Sequence, residues 1–204
     1  MRTSEWGSLL ERRFAIIGHR AKSSGSINLN DLAGSSGRFD VLARTINAAL
    51  FVSHGIREDC QIAIHLMGGG PIRRVFFDGS SLKGVRPDER SIAGHFKAIM
   101  KTPVPPQGRF VDFSRGISHS GGGINQTLAE WKNEGIEPFL LDVDGNGDLE
   151  FSGSSGVGFI ISDDLPFDES DLELIGDIRK YSLGDQWLQG HSCISIIHHK
   201  LDGS

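Results

Sequence analysis

The chain has 204 residues, 38% of them hydrophobic, and a formal net charge of -5. That length buries one respectable α/β core, no apolar run approaches the ~20 residues needed to cross a bilayer, and residues 12–19 are too short and wrongly flanked for a secretory signal, so a cytoplasmic protein without a membrane anchor is expected. The charge is unevenly spread: residues 1–102 hold 15 Lys and Arg against 9 Asp and Glu, whereas residues 103–204 hold 6 against 17. A polyanion would be drawn to the first half, although two halves of opposite sign also neutralise each other across an interface.

Taken in chain order, short β-branched and aromatic runs alternate with helical patterns, the signature of a mostly parallel sheet with helices on its faces. A strand is predicted at 14–18, then a helix at 39–53 whose Leu42, Ile46, Ala49 and Leu50 are spaced to bury one face. Strands follow at 61–67 and 74–78. A second helix begins at Pro87, whose fixed φ suits a first helical position, with Asp88 and Glu89 at the positive end of the helix dipole. After a strand at 109–113, a third helix covers 125–134 and stops at Gly135, a natural left-handed cap. Strands at 138–142 and 157–162 precede a helix that Asp168 caps and that reaches Arg179. A strand at 180–183 and a last helix after Gly190, carrying Cys193, Ile194, Ile196 and Ile197, complete the pattern. The proline-bearing stretch 102–108, where the charge changes sign, reads as a hinge or boundary. The expected organisation is an N-terminal extension over 1–13 and a single domain over 14–204.

Several constellations carry chemistry, and each also has an ordinary structural reading. Asp40, Arg44 and Asn47 fall on one stripe of the first helix beside the Gly37-Arg38 turn, a plausible substrate surface; an i,i+4 ion pair at a helix start explains the same residues. In Arg86-Pro87-Asp88-Glu89-Arg90-Ser91, two arginines at a helix start could hold a phosphate, or could simply be solvated charges on a capped helix. The run Asp142-Val143-Asp144-Gly145-Asn146-Gly147-Asp148-Leu149-Glu150 imitates a calcium loop, but its twelfth position is Gly153 and a strand precedes it, so a strand-to-loop turn is favoured. Cys60 and Cys193 belong to no CxxC or Cys/His pattern, no HExxH accompanies the histidines, and no metal is expected. Neither GxGxxG nor a P-loop occurs. The end of the chain says most: Ser182-Leu183-Gly184-Asp185 follows a strand, and Gly190-His191-Ser192-Cys193 opens an apolar helix, forming a crevice suited to a small ligand at the carboxyl edge of a parallel sheet.

Taken together, Gly37-Arg38-Phe39-Asp40-Val41-Leu42, Asn47-Ala48-Ala49, Pro87-Asp88-Glu89-Arg90-Ser91, Ser182-Leu183-Gly184 and His191-Ser192-Cys193-Ile194 resemble one family over residues 14–202. It is the archaeal-type tRNA pseudouridine N1-methyltransferase family of the SPOUT class, with its bacterial relatives. The resemblance implies an α/β SPOUT fold ending in a deep trefoil knot, a homodimer, S-adenosylmethionine as cofactor, and RNA, in particular tRNA, as partner, with no role for DNA or membrane. Knots break the usual rules of chain threading, so no periodicity could have suggested one. The resemblance further implies that Leu141, Ser162, Ser182, Leu183, Gly184 and Cys193 line the cofactor pocket, with Ser162 standing where the family pattern leads one to expect glycine. Methyl transfer from a sulfonium needs alignment with a nucleophilic ring nitrogen and removal of its proton. Asp40 is the candidate base or orienter, and Arg38 and Arg90 are candidates for stabilising the anionic base or positioning phosphate. Another nucleoside, such as a ribosomal RNA uridine or pseudouridine, and a catalytically silent RNA-binding module are the competing readings.

Overall fold

The structure is a computed structural model that describes residues 10–149 and 154–203. Residues 1–9 of the expected extension, and the end of the Asp/Gly run with Gly153, lie outside the described residues. In chain order the elements are β1 (Glu11–Gly18), α1 (Phe39–Leu50), β2 (Phe51–Val52), β3 (Gly55–Ile56), β4 (Cys60–Leu66), β5 (Arg73–Asp78), α2 (Glu89–Ile99), β6 (Val111–Ser114), β7 (Ile117–Gly121), α3 (Ile124–Asn133), β8 (Ile136–Asn146), β9 (Gly156–Ser162), α4 (Glu169–Ile175), β10 (Arg179–Tyr181) and α5 (Gly190–Asp202).

One eight-stranded sheet, in the order β10-β8-β9-β1-β4-β5-β7-β6, organises the chain. The pairings from β10 to β4 are parallel and those from β4 to β6 antiparallel. β1 lies in the middle, which explains its sequence: Phe14, Ala15, Ile16 and Ile17 are fully buried because both faces of the strand are covered. On one face, Phe14, Ile16, Phe77, Phe139 and Phe159 join residues of α1, α2 and α5 in the larger core. On the other, Ala15, Ile17, Leu140 and Ile160 pack with Trp131 of α3 and Ile175 of α4. Strands from both charge halves share this sheet, those of the first half lying between two groups from the second, so the stretch 102–108 does not separate two sheets; Gln107 forms a parallel bridge with Gly121.

Three differences from the sequence reading have local causes. The first helix ends at Leu50 and not at residue 53, because Phe51 turns extended (φ -96, ψ 134) and Phe51–Val52 pairs with Gly55–Ile56 in a separate two-stranded ribbon. β7 was not foreseen, since its Ile-Ser-His-Ser-Gly sequence lacks an apolar period even though His119 and Ser120 are buried. The helix capped by Asp168 stops at Ile175, where Gly176 takes φ 73, so Arg179 begins a strand.

Two neighbouring arginines are wholly enclosed and solve the problem of a buried charge differently. Arg73 donates to the carbonyls of Ile99 and Thr102, both at 2.6 Å, at the negative end of the α2 dipole. Arg74 pairs with Glu130 at 2.7 and 3.0 Å and also donates to Thr127 Oγ1 at 3.0 Å, tying β5 to α3.

The feature that shapes the site is a break in register. Lys180 of β10 stands opposite Leu140, but Tyr181 stands opposite Asn146, so residues 141–145 of β8 bulge away from the sheet. This accounts for the Asp/Gly run: a Cβ on Gly145 would lie 2.6 Å from the Tyr181 backbone, Asp142 pairs with Lys180 at 2.8 Å, and its carboxylate also accepts the Asp144 N–H at 3.0 Å.

Candidate active site

The bulge of β8, the carboxyl end of β9 with the loop that follows it, the loop after β10, and the first turns of α1 and α5 surround a cleft of about 670 Å³. Its position, outside the strand ends of the parallel half, is where open α/β sheets bind ligands. One wall is apolar, with Leu141, Ile161, Leu183 and Cys193. Charged side chains line the cleft as well, from Asp142, Asp163, Asp164, Arg38 and Arg44. Trp187, 78% exposed, stands at the mouth.

Five of the six residues expected to line a cofactor pocket line this cleft: Leu141, Ser162, Leu183, Gly184 and Cys193. Ser182 does not; it is buried behind it, and its Oγ accepts the Gly184 N–H at 3.1 Å, fixing a loop in which Gly184 has φ 107. Ser162 turns its hydroxyl to the carbonyl of Leu165, so it closes the loop after β9. Cys193 is held by packing, with Sγ 3.8 Å from the Leu188 carbonyl, and burial pushes its thiol up to about 11, leaving it neutral.

Arg38 lines the cleft from an unusual backbone. Gly37 and Arg38 are both left-handed, at φ 71 and 64, and Arg38 is the one non-glycine residue with positive φ among the described residues. No side chain but glycine fits before it, since a Cβ on Gly37 would lie 2.3 Å from the Arg20 carbonyl. The guanidinium donates to Asp40 through Nε at 3.0 Å and Nη2 at 3.2 Å, and to Asp164 through Nη1 at 2.9 Å. Arg20 joins Asp164 from the other side, and Arg44 pairs with Asp40 and reaches Glu89 at 3.6 Å.

Asp40 therefore lies behind Arg38 and does not itself line the cleft. Burial works against its charge, but Arg38 and Arg44 outweigh that and hold its carboxyl below the usual range. So placed, it suits orienting Arg38 better than accepting a proton. Asn47, third on the stripe, donates to the Pro87 carbonyl at 2.7 Å and joins α1 to the start of α2. Arg90 stands apart from the cleft: it donates to the Leu29 carbonyl at 3.1 Å and to Asn30 Oδ1 at 2.7 Å, while Asp88 caps α2 through the Ser91 N–H at 2.7 Å.

Sequence reasoning missed Asp163 and Asp164. The signal was present, because carboxylates directly after an apolar strand of a parallel sheet fall at its ligand-binding edge. Trp187 carried no periodic signal at all. Chemically, the cleft offers an apolar slot for a flat heterocycle, carboxylates beside it for a cation, and an arginine where negative charge could develop.

Comparison with known proteins agrees with this geometry. Residues 11–204 match the family model described as "Putative SAM-dependent RNA methyltransferase". Over 196 residues the chain is 37% identical to a tRNA (pseudouridine(54)-N(1))-methyltransferase of Methanocorpusculum labreanum, covering 93% of this chain and 96% of the relative. The protein of the same description from Haloarcula marismortui is 34% identical over 194 residues, with 94% and 96% covered. Among solved structures, Nep1 of Archaeoglobus fulgidus bound to S-adenosylhomocysteine superposes with a TM-score of 0.67 at 12% identity, covering 95% of this chain and 98% of that one. This likeness gives the α/β SPOUT fold, a mostly parallel central sheet flanked by helices.

Proposed function

The chain belongs to the S-adenosylmethionine-dependent RNA methyltransferases, and from that premise we propose that it methylates N1 of a pseudouridine in tRNA, as the names of its relatives describe. The observation that carries the reading is the cleft at the strand ends with Arg38 at its rim.

The residues fit the cofactor. Leu141, Leu183 and Cys193 suit an adenine ring, and the carboxylate of Asp144, which also lines the cleft, offers negative charge to a sulfonium or ammonium group. When bound, S-adenosylmethionine supplies a methyl group already activated for transfer. The protein's work is then alignment and charge control. Loss of the N1 proton leaves a negative base, and Arg38, held in one orientation by Asp40 and Asp164, is the group that stabilises it, while water takes the proton. Arg90, outside the cleft on the basic half of the chain, is suited to a backbone phosphate of the RNA.

The same reading includes threading of the C-terminal segment as a trefoil knot, a cytoplasmic location alongside tRNA, and a homodimer. In favour of the dimer, Leu172, Trp187 and Leu188, which line the cleft, are exposed large apolar side chains. Light scattering of the purified protein tests the dimer. For the activity, RNA is incubated with the protein and methyl-labelled cofactor, then digested to nucleosides for mass spectrometry. Labelled methylpseudouridine from tRNA is expected; label in another base would retain the methyltransferase and discard the named substrate.

A further inference from the structure

His19 lies just beyond β1, behind the cleft, and both of its ring nitrogens face carboxylates. Nδ1 is 2.8 Å from Asp163 Oδ1 and Nε2 is 2.7 Å from Asp171 Oδ2. The side chains of Asp163 and Asp171 are only 2% and 1% exposed, and that of His19 is 13% exposed. A neutral imidazole has one donor nitrogen, so one of these contacts would set a lone pair against a carboxylate. With both carboxylates ionised, two short contacts of this kind require the imidazolium, with each nitrogen donating.

The three residues belong to three different parts of the cleft's support. His19 follows β1, Asp163 follows β9 and lines the cleft, and Asp171 lies in the first turn of α4, whose Leu172 lines it as well. Asp163 is held completely: its carboxylate also accepts the His19 backbone N–H at 2.9 Å and the Leu165 N–H at 3.0 Å. Asp171 accepts the Asp168 N–H at 3.0 Å, closing the capping box of α4. The outer wall of the cleft, residues 163–172, is thus pinned to the sheet at both ends through one ring.

We propose that His19, as an imidazolium bridging Asp163 and Asp171, is a positioning residue that holds the outer wall of the cleft in the shape that binds the methyl donor. The inference rests on the reading of the cleft as the donor site. Asp163 is the largest influence holding the proton on His19, burial opposes it, Asp171 adds to it, and the group titrates at about 9 and not 6.5. Other charges near it are already engaged: Arg20 with Asp164, and Asp168 with the Ser170 hydroxyl and the Asp171 N–H. Raising the pH past that value should release the wall and weaken binding, without any substitution.

The test is calorimetric titration of the full chain with S-adenosylhomocysteine, and with methylthioadenosine, which has no amine to titrate in the alkaline range. Wild type, His19→Gln and Asp171→Asn are compared from about pH 7.5 to about pH 10, with circular dichroism of each. At the lower pH both variants should bind about 10-fold to 100-fold more weakly than wild type, with turnover at saturating donor little changed. Wild type should weaken about tenfold towards the upper pH for methylthioadenosine, and His19→Gln should stay flat. Equal affinity of folded variants and wild type, or a wild-type affinity that does not move with pH, overturns the clamp while leaving the donor site intact. Should a variant fail to fold, the wild-type pH series still decides. Failure of wild type to bind either ligand at the lower pH overturns the donor site itself, and the clamp with it.

Discussion

Arg38 holds Asp40 through two hydrogen bonds, of 3.0 and 3.2 Å, while its own backbone stays in the left-handed region at φ 64. For a residue with a Cβ that conformation costs roughly 1–2 kcal/mol, and such strain persists where the side chain is needed in one place. The cost is offset by surroundings that leave no alternative: the Gly37 turn packs against the Arg20 carbonyl, and Asp40 and Asp164 hold the guanidinium.

Arg38→Gly should separate these two effects. Glycine accepts the left-handed backbone freely, and the lost ion pairs are partly exposed, so the melting temperature should stay close to that of wild type. The rate should nevertheless fall by about 100-fold, the usual loss when a group that stabilises developing charge is removed. A variant of full activity would remove Arg38 from the chemistry.

Asp40→Ala should lower turnover by about 10-fold to 100-fold and leave donor affinity near that of wild type, because the carboxylate orients Arg38 from behind the cleft. Single-turnover kinetics and calorimetry measure the two quantities separately. Since its arginine partners keep Asp40 ionised below the usual carboxylate range, the wild-type rate should show no break attributable to it between about pH 5 and about pH 7.

His19 should also make stability depend on pH in a defined direction. Its proton is held more tightly in the folded chain, at about 9 against an ordinary 6.5, so its contribution is complete below pH 6.5 and is lost as the pH rises through 9. Urea denaturation of wild type and His19→Gln should therefore give a stability difference that shrinks across that window. A constant difference would mean that the imidazole is uncharged.

The pair of fully buried Arg74 and part-exposed Glu130 yields a stability test far from the cleft. Glu130→Ala leaves a fully buried guanidinium without its counter-ion and should cost about 3 kcal/mol or more by urea denaturation. Replacing both together, as Arg74→Met with Glu130→Leu, should recover much of that loss, because no unpaired charge remains. If the double variant were no better than the single one, packing and not charge would set the cost.

Much of this architecture could be read from the residues, and the exceptions follow a physical pattern. β1, β4, β5 and β9 were recognisable because strands covered on both faces carry apolar runs at their centres, and Asp168 and Gly135 marked helix ends because capping has a narrow chemistry. β7 escaped because its buried positions are occupied by His119 and Ser120. Within the site, the loop with Leu183 and Gly184 and the helix start with Cys193 were legible as a strand–loop–helix crevice, whereas Leu141 was anticipated through resemblance alone. His19 was invisible, since one histidine after an apolar strand says nothing until the fold brings Asp163 and Asp171, more than a hundred residues away, to its two nitrogens.

The seat of β1 between β4 and β9 has a further consequence for how the molecule comes into being. Arg12 is paired with Cys60 on one side and with Val157 on the other. During synthesis the first strand can find its early neighbour at once, but its other flank stays bare until most of the polypeptide has emerged. Contacts between such distant positions are slow to form. The nascent protein therefore has to shield an apolar edge for much of its translation, and a fragment ending before β9 should aggregate instead of folding.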